Sequence, residues 1–281
     1  MKVQASAAKT AVIGQPANLR EPRGDTVQSL KRALNLLNAL ARHDQGLGLS
    51  DAAKETGLAV STAHRLLSTL QHENFVRFDP ERSVWMIGVQ TFIVGSAFLR
   101  ARALTGVARP FMQQLMERSG ETVNLAVEEG GEAIYVAQIE CRKTMRAIAR
   151  PGGRAAMHCS GVGKALLAAM TEDDVERIIA LRGLPVATAK TITTPAELQA
   201  ELQAIRKRGF AIDEEENAIG LRCVAAPVFN EHGKPVAAIS LSGPTARIGD
   251  DLLLSLGEAV VDAARQITAG LGGSAIAKLT S

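Results

Sequence analysis

Aromatic residues are scarce in this chain, 3% of 281, with one Trp and one Tyr. Such scarcity argues against a protein that binds single-stranded nucleic acid by stacking bases on rings. Cysteine is as sparse. Cys141, Cys159 and Cys223 are too few and too scattered for a disulfide framework, which suits a reducing cytoplasm. With His158 and His232 they match no paired zinc-ligand spacing, so neither a metal nor another cofactor is expected. No run reaches about 18 apolar residues, and the first residues lack the apolar stretch of a signal peptide, so no membrane span is expected. A net charge of +3 does not by itself point to nucleic acid. A phosphate-binding loop ending at Gly163-Lys164 would need Gly at 158 and Ser or Thr at 165; His158 and Ala165 stand there instead.

What is present is a chain that is 46% apolar, long enough for two domains. Residues 1–24 carry Lys2, Lys9, Arg20 and Arg23 against Glu21, without hydrophobic periodicity, and read as a disordered basic tail. The stretch from Val27 to Ile87 reads as three short helices and a hairpin, the order of a winged helix-turn-helix. The first helix, Val27 to Arg42, places Leu30, Ala33, Leu34, Leu37 and Leu40 at helical spacing, as one buried face. Ser50 is the expected N-cap of a second helix ending at Thr56, and Gly57 makes the turn. Ser61 or Thr62 is the expected cap of a third helix running to about His72. Ala63, Leu66, Leu67 and Leu70 of that helix face inward. Arg65 on the outer side suits guanine, through two donors to O6 and N7. Ser61, Thr62 and His64 are expected in base or phosphate contact, and Arg77 or Arg82 of the hairpin in contact with the backbone. Residues 25–88 hold seven basic and seven acidic side chains, so attraction to DNA must come from their arrangement.

Gly88 to Leu104 reads as a linker helix. A body domain over 106–273 then begins with a helix from Val107 to Glu117. Thr122–Glu128 and Ala133–Ile139 read as a hairpin through Glu129-Gly130-Gly131-Glu132. Thr144–Ala149 reads as a possible third strand. Helices are expected over Gly161–Met170, Asp173–Arg182, Pro195–Arg208 (Thr194 as cap) and about Asp250–Ala269, and strands over Cys223–Phe229 and Val236–Leu241. Antiparallel pairs with helices between them make the fold class α+β. Residues 274–281 form a short tail.

Four segments carry a family likeness: the head, Trp85-Met-Ile-Gly-Val-Gln-Thr-Phe-Ile-Val-Gly-Ser, His158-Cys-Ser-Gly-Val-Gly-Lys-Ala, and Asp213-Glu-Glu-Glu-Asn-Ala-Ile-Gly-Leu-Arg-Cys223. In this order they resemble the IclR family of bacterial transcriptional regulators, over about 26 to 272, and most of all members that repress the glyoxylate-bypass operon. The resemblance implies a winged helix-turn-helix at 25–88, a linker helix at 89–105 and a GAF-like α/β effector-binding domain. It implies a homodimer, or a dimer-of-dimers tetramer, on palindromic double-stranded operator DNA. It also implies a small carboxylate effector such as glyoxylate or pyruvate, bound by Gly161 and Val162 through backbone N–H groups, with Asp213, Cys223, Ser240 and Ser242. The chemistry is coherent: a helix N-terminus favours a carboxylate, and Ser240 and Ser242, two apart on a strand, face the same way. Asp213 must accept from a hydrated aldehyde, stay protonated, or pair with an arginine such as Arg222. The reading is therefore a cytoplasmic, metabolite-responsive repressor and not an enzyme. The alternative is a hydrolase-like body using Cys159 or Cys223, tethered to a DNA-binding head, though no base–nucleophile pair supports it.

Overall fold

A computed structural model describes residues 27–101, 104–144 and 149–273 of the protein. The proposed tails, 1–24 and 274–281, and most of the possible strand Thr144–Ala149 lie outside the described residues.

The head is built from α1 (Gln28–Ala41), α2 (Leu49–Thr56), α3 (Val60–His72), β1 (Val76–Asp79) and β2 (Val84–Ile87). Its small core joins Leu36, Leu40, Ala52, Ala53, Ala63, Leu67, Val76 and Trp85. The expected buried face of α1 is only half right. Leu40 is buried and Leu37 packs against the core, but Leu30 and Leu34 are 58% and 49% exposed. The helix has two apolar stripes, and the one carrying Leu36, Ala39 and Leu40 faces α2 and α3. The expected caps also differ. Gly48 precedes α2 and Ala59 precedes α3, and neither helix has a side-chain cap, so Ser50, Ser61 and Thr62 lie inside first turns. Gly57, at φ +66°, closes α2 in the left-handed conformation, and Leu58 N–H donates to Ala53 O at 2.9 Å. That backbone closure lets α3 start only three residues later, without a hydroxyl cap.

The linker helix is α4 (Val89–Ala101), and the body opens with α5 (Leu104–Ser119), which begins three residues before the expected body helix. The body adds β3 (Thr122–Glu129), β4 (Glu132–Ile139), β5 (Arg154–Ala156), α6 (Gly161–Ala169), α7 (Glu172–Arg182), α8 (Pro195–Arg208), β6 (Ala211–Glu214), β7 (Leu221–Phe229), β8 (Pro235–Pro244) and α9 (Asp250–Gly270). Six strands form one antiparallel sheet in the order β5-β4-β3-β8-β7-β6. Alternate residues face opposite sides. Val123, Leu125, Val224, Ile239 and Leu241 pack with α5 and α9. Ala126, Ala211, Ala225 and Ala238 pack with α6 and α8. With both faces covered, the central strands are buried almost throughout. The cap expected for α8 is present: Thr194 Oγ1 accepts from Glu197 N–H at 3.3 Å, and Pro195 takes the first turn.

Candidate functional site

Two surfaces bring the expected residues together. On the head, Ser61, His64 and Arg65 are exposed on the leading half of α3, and Thr62 is half-buried beside them. His64 meets the Trp85 ring edge-on, 6.4 Å between centroids, and Phe78 lies 5.0 Å from Trp85. Helix and hairpin are therefore braced by the one tryptophan. Leu47 exchanges two backbone hydrogen bonds with Trp85, at 3.0 and 2.8 Å, which ties the loop after α1 to the hairpin. Arg77 is exposed on β1. Arg82, at the hairpin tip, donates to the carbonyl and side-chain oxygens of Gln45, at 3.1 and 3.0 Å. A three-helix head of this form with an exposed, arginine-bearing third helix and a hairpin beside it has the geometry of a major-groove reader.

The second surface lies on the α6 side of the sheet. Strand register puts Asp213, Cys223, Ser242 and Thr122 in one row across β6, β7, β8 and β3. The next row is Ala211, Ala225, Ser240, Asn124 and Gln138. The N-terminus of α6 stands over these rows: a Cβ on Gly161 would lie 3.2 Å from Cys223 Cβ and 3.7 Å from Asp213 Cβ. Ser160 caps this helix, its Oγ accepting from Gly163 N–H at 3.1 Å. The N–H groups of Gly161 and Val162 find no partner among the described residues. Gly163 is required for packing alone, because a Cβ there would fall 2.4 Å from Met157 O. The arrangement is a short helix N-terminus standing over small, polar, buried side chains, and a helix N-terminus favours negative charge.

Asp213 is 1% exposed. Its Oδ1 accepts from the Glu216 and Asn217 N–H groups at 2.9 and 3.3 Å, and its Oδ2 is buried without a partner. Burial and the nearby Glu216 push this carboxyl up to about 7, against the pull of the two N–H groups and Lys164. Arg222 does not pair with it: the neighbouring strand position points to the opposite face, where Arg222 meets Glu214, Asp250 and the Ile248 carbonyl. Behind Asp213, the buried Lys164 ammonium contacts Glu216, and Glu201 at 3.4 Å. Burial and the Asp213 charge push the Cys159 thiol up to about 12, and the Cys223 thiol moves in the same direction for the same reasons.

Sequence reasoning missed Asn124, Gln138 and Tyr135. Asn124 donates to Ser242 Oγ at 3.3 Å and accepts from Gln138 Nε2 at 2.9 Å. Tyr135, one row further on β4, has its hydroxyl raised by burial, with Cys223, Asp213 and Cys159 as the charges that act on it. A lone Asn inside the run Val-Asn-Leu-Ala-Val was the available signal, two residues from Thr122 on the same face.

A winged helix-turn-helix joined to a sheet domain that carries rows of buried polar side chains is the architecture of a DNA-binding regulator. Comparison with known proteins is specific. The family model described as "IclR helix-turn-helix domain" matches residues 29–80, and "Bacterial transcriptional regulator IclR C-terminal" matches 96–269. The transcriptional repressor IclR of Escherichia coli K12 is 44% identical over 261 residues, 92% of this chain and 95% of that protein. The acetate operon repressor of Salmonella typhimurium is 43% identical over 262 residues, 92% and 96% of the two chains. The crystal structure of the Thermotoga maritima IclR superposes with a TM-score of 0.74 at 29% identity, over 88% of this chain and 100% of that one. The chain belongs to the IclR family of bacterial transcriptional regulators and is a transcriptional repressor with a helix-turn-helix DNA-binding domain.

Proposed function

We propose that the protein represses transcription from a palindromic operator in the cytoplasm, and that a small carboxylate such as glyoxylate or pyruvate changes its grip on that DNA. In this reading Arg65 reads base edges in the major groove, Ser61, Thr62 and His64 contact bases or phosphates, and Arg77 and Arg82 touch the backbone. The ligand carboxylate lies on the Gly161 and Val162 N–H groups, with Asp213, Cys223, Ser240 and Ser242 around its other end. The observation that carries the reading is the unclaimed N–H pair of α6 standing over the row Asp213, Cys223, Ser242. Likeness to a protein named acetate operon repressor supports a small metabolic acid. A homodimer, or a tetramer of two dimers, is supported by the exposed apolar side chains Val27, Leu30, Leu34, Phe92 and Val94 on α1, its leading edge and α4. The raised Cys159 and Cys223 thiols speak against the hydrolase alternative, since the thiolate is the nucleophile.

The test is fluorescence anisotropy on operator DNA from upstream of the protein's own gene, with and without pyruvate or glyoxylate. Selective binding that changes with acid in the wild type, and changes much less in Ser242→Ala, is expected. A normal response in Ser242→Ala would move the site elsewhere.

A further inference from the structure

Asp213 is the unusual member of the acid site, because it places a carboxyl beside a position suited to another carboxylate. Its two oxygens differ. Oδ1 is fixed by two backbone N–H groups, whereas Oδ2 is buried and has no partner. An ionised oxygen in that position is left with its full desolvation cost; a protonated one becomes a donor in search of an acceptor. The charged and titratable groups that face Asp213 are Glu216 on the following turn, Lys164 on α6, Cys159 before α6, Cys223 on β7 and Tyr135 on β4. Lys164 is the one cation in that set, and it is already held by Glu216 and Glu201. Arg222 lies on the opposite face of the sheet, bound to Glu214 and Asp250.

We propose that Asp213 is a specificity-determining residue that works as a neutral acid: Oδ2 carries a proton and donates it to the 2-oxo oxygen of the ligand, so that a 2-oxo carboxylate enters together with a proton. The proposal rests on the carboxylate-site reading above and adds the protonation state of Asp213 and the proton that enters with the ligand. Geometry favours it, since the N-terminus of α6 and Asp213 border the same spot: a Cβ on Gly161 would lie 3.7 Å from Asp213 Cβ. In the proposed pose the ligand carboxylate lies on the α6 N–H groups and its second carbon is turned toward Asp213. A hydrated acid, carrying two hydroxyls there, needs an acceptor and would fit an ionised Asp213 instead. The rise of this carboxyl to about 7 places the exchange in the physiological range. Acidification then tightens the complex, and the proton comes from solvent.

Calorimetric titration of the full chain with pyruvate at pH 6, 7 and 8, in two buffers of different ionisation heat, tests the proposal. Wild-type affinity should fall roughly tenfold from pH 6 to pH 8, with proton uptake approaching one per ligand at the alkaline end. Asp213→Asn keeps a donor at Oδ2 and an acceptor at Oδ1, so it should bind pyruvate nearly independently of pH. Asp213→Ala should bind roughly tenfold or more weakly at pH 6. Wild-type affinity that is flat or rises with pH, or Asp213→Asn binding as poorly as Asp213→Ala, overturns the proposal alone. Absence of binding of pyruvate, glyoxylate and lactate to the wild type at every pH overturns the carboxylate-site reading, and the proposal with it.

Discussion

Replacing Lys164 by Met removes the buried cation that Glu216 and Glu201 share. Lys164 is 1% exposed, and its ammonium touches Glu216 and lies 3.4 Å from Glu201. Methionine fills a similar volume, so little of the effect comes from a cavity. What remains is a carboxylate pair that has lost its counter-charge inside the protein, and breaking a buried pair in this way costs about 3–5 kcal/mol. Two features favour the lower end. Arg208 also reaches Glu201, at 3.3 Å, and burial already raises the Glu216 carboxyl, so that it can take up a proton. A loss of about 3 kcal/mol is therefore expected at pH 8. A carboxyl raised in the folded state binds more protons there than in the unfolded chain, so stability falls as pH climbs above its ordinary range. The penalty of Lys164→Met should accordingly shrink at pH 5. Urea denaturation followed by far-ultraviolet circular dichroism, at fixed protein concentration, measures it. Adding Glu216→Gln should recover more than half of the loss. A penalty below about 1 kcal/mol at pH 8, or one that grows on acidification, would refute the reasoning.

Three further outcomes are expected. Arg65→Ala should lose operator selectivity more than it loses the salt dependence of binding; unchanged selectivity removes Arg65 as a base reader. Gly163→Ala should be strongly destabilising in the same denaturation assay, because its Cβ would overlap the Met157 backbone at 2.4 Å with no flexible side chain to give way. Asp213→Asn should be more stable than the wild type at pH 8 and converge with it near pH 4. The Asp213 carboxyl is raised to about 7 when folded, so its ionisation opposes folding progressively between its ordinary value and neutrality. A wild-type advantage at pH 8 would contradict that sign.

Much of this architecture is legible in the chain itself. Three helices and a hairpin announce the head, and Thr194-Pro195 with Glu197 announces the start of α8. Other features turn on context that the chain does not display locally. Ser50, Ser61 and Thr62 have the side chains of caps, yet α2 already starts at Leu49 after Gly48, and the tight backbone turn around Gly57 starts α3 at Val60, before Ser61 and Thr62. Leu30 and Leu34 have the spacing of a core face, but α1 carries two apolar stripes and only one meets α2 and α3. The strands β5 and β6 are three and four residues long, too short for a period-two pattern to stand out. At the site, Asp213, Cys223 and Ser242 came from family likeness, and register puts them in one row. Tyr135, Asn124 and Gln138 join them only because β3 and β4 pair beside β8, a long-range arrangement that no local motif encodes.

The central claim is that one acid site and one DNA surface are energetically coupled. Coupling between two ligands is reciprocal: whatever factor the acid applies to operator affinity, the operator must apply to acid affinity. The direct measurement is therefore both affinities on the same preparation, operator with and without saturating pyruvate, and pyruvate with and without saturating operator, at one salt concentration and pH. Equal factors, on the order of 5–150-fold, are the expected result. Tight operator binding and tight acid binding with no effect of either on the other would contradict the claim.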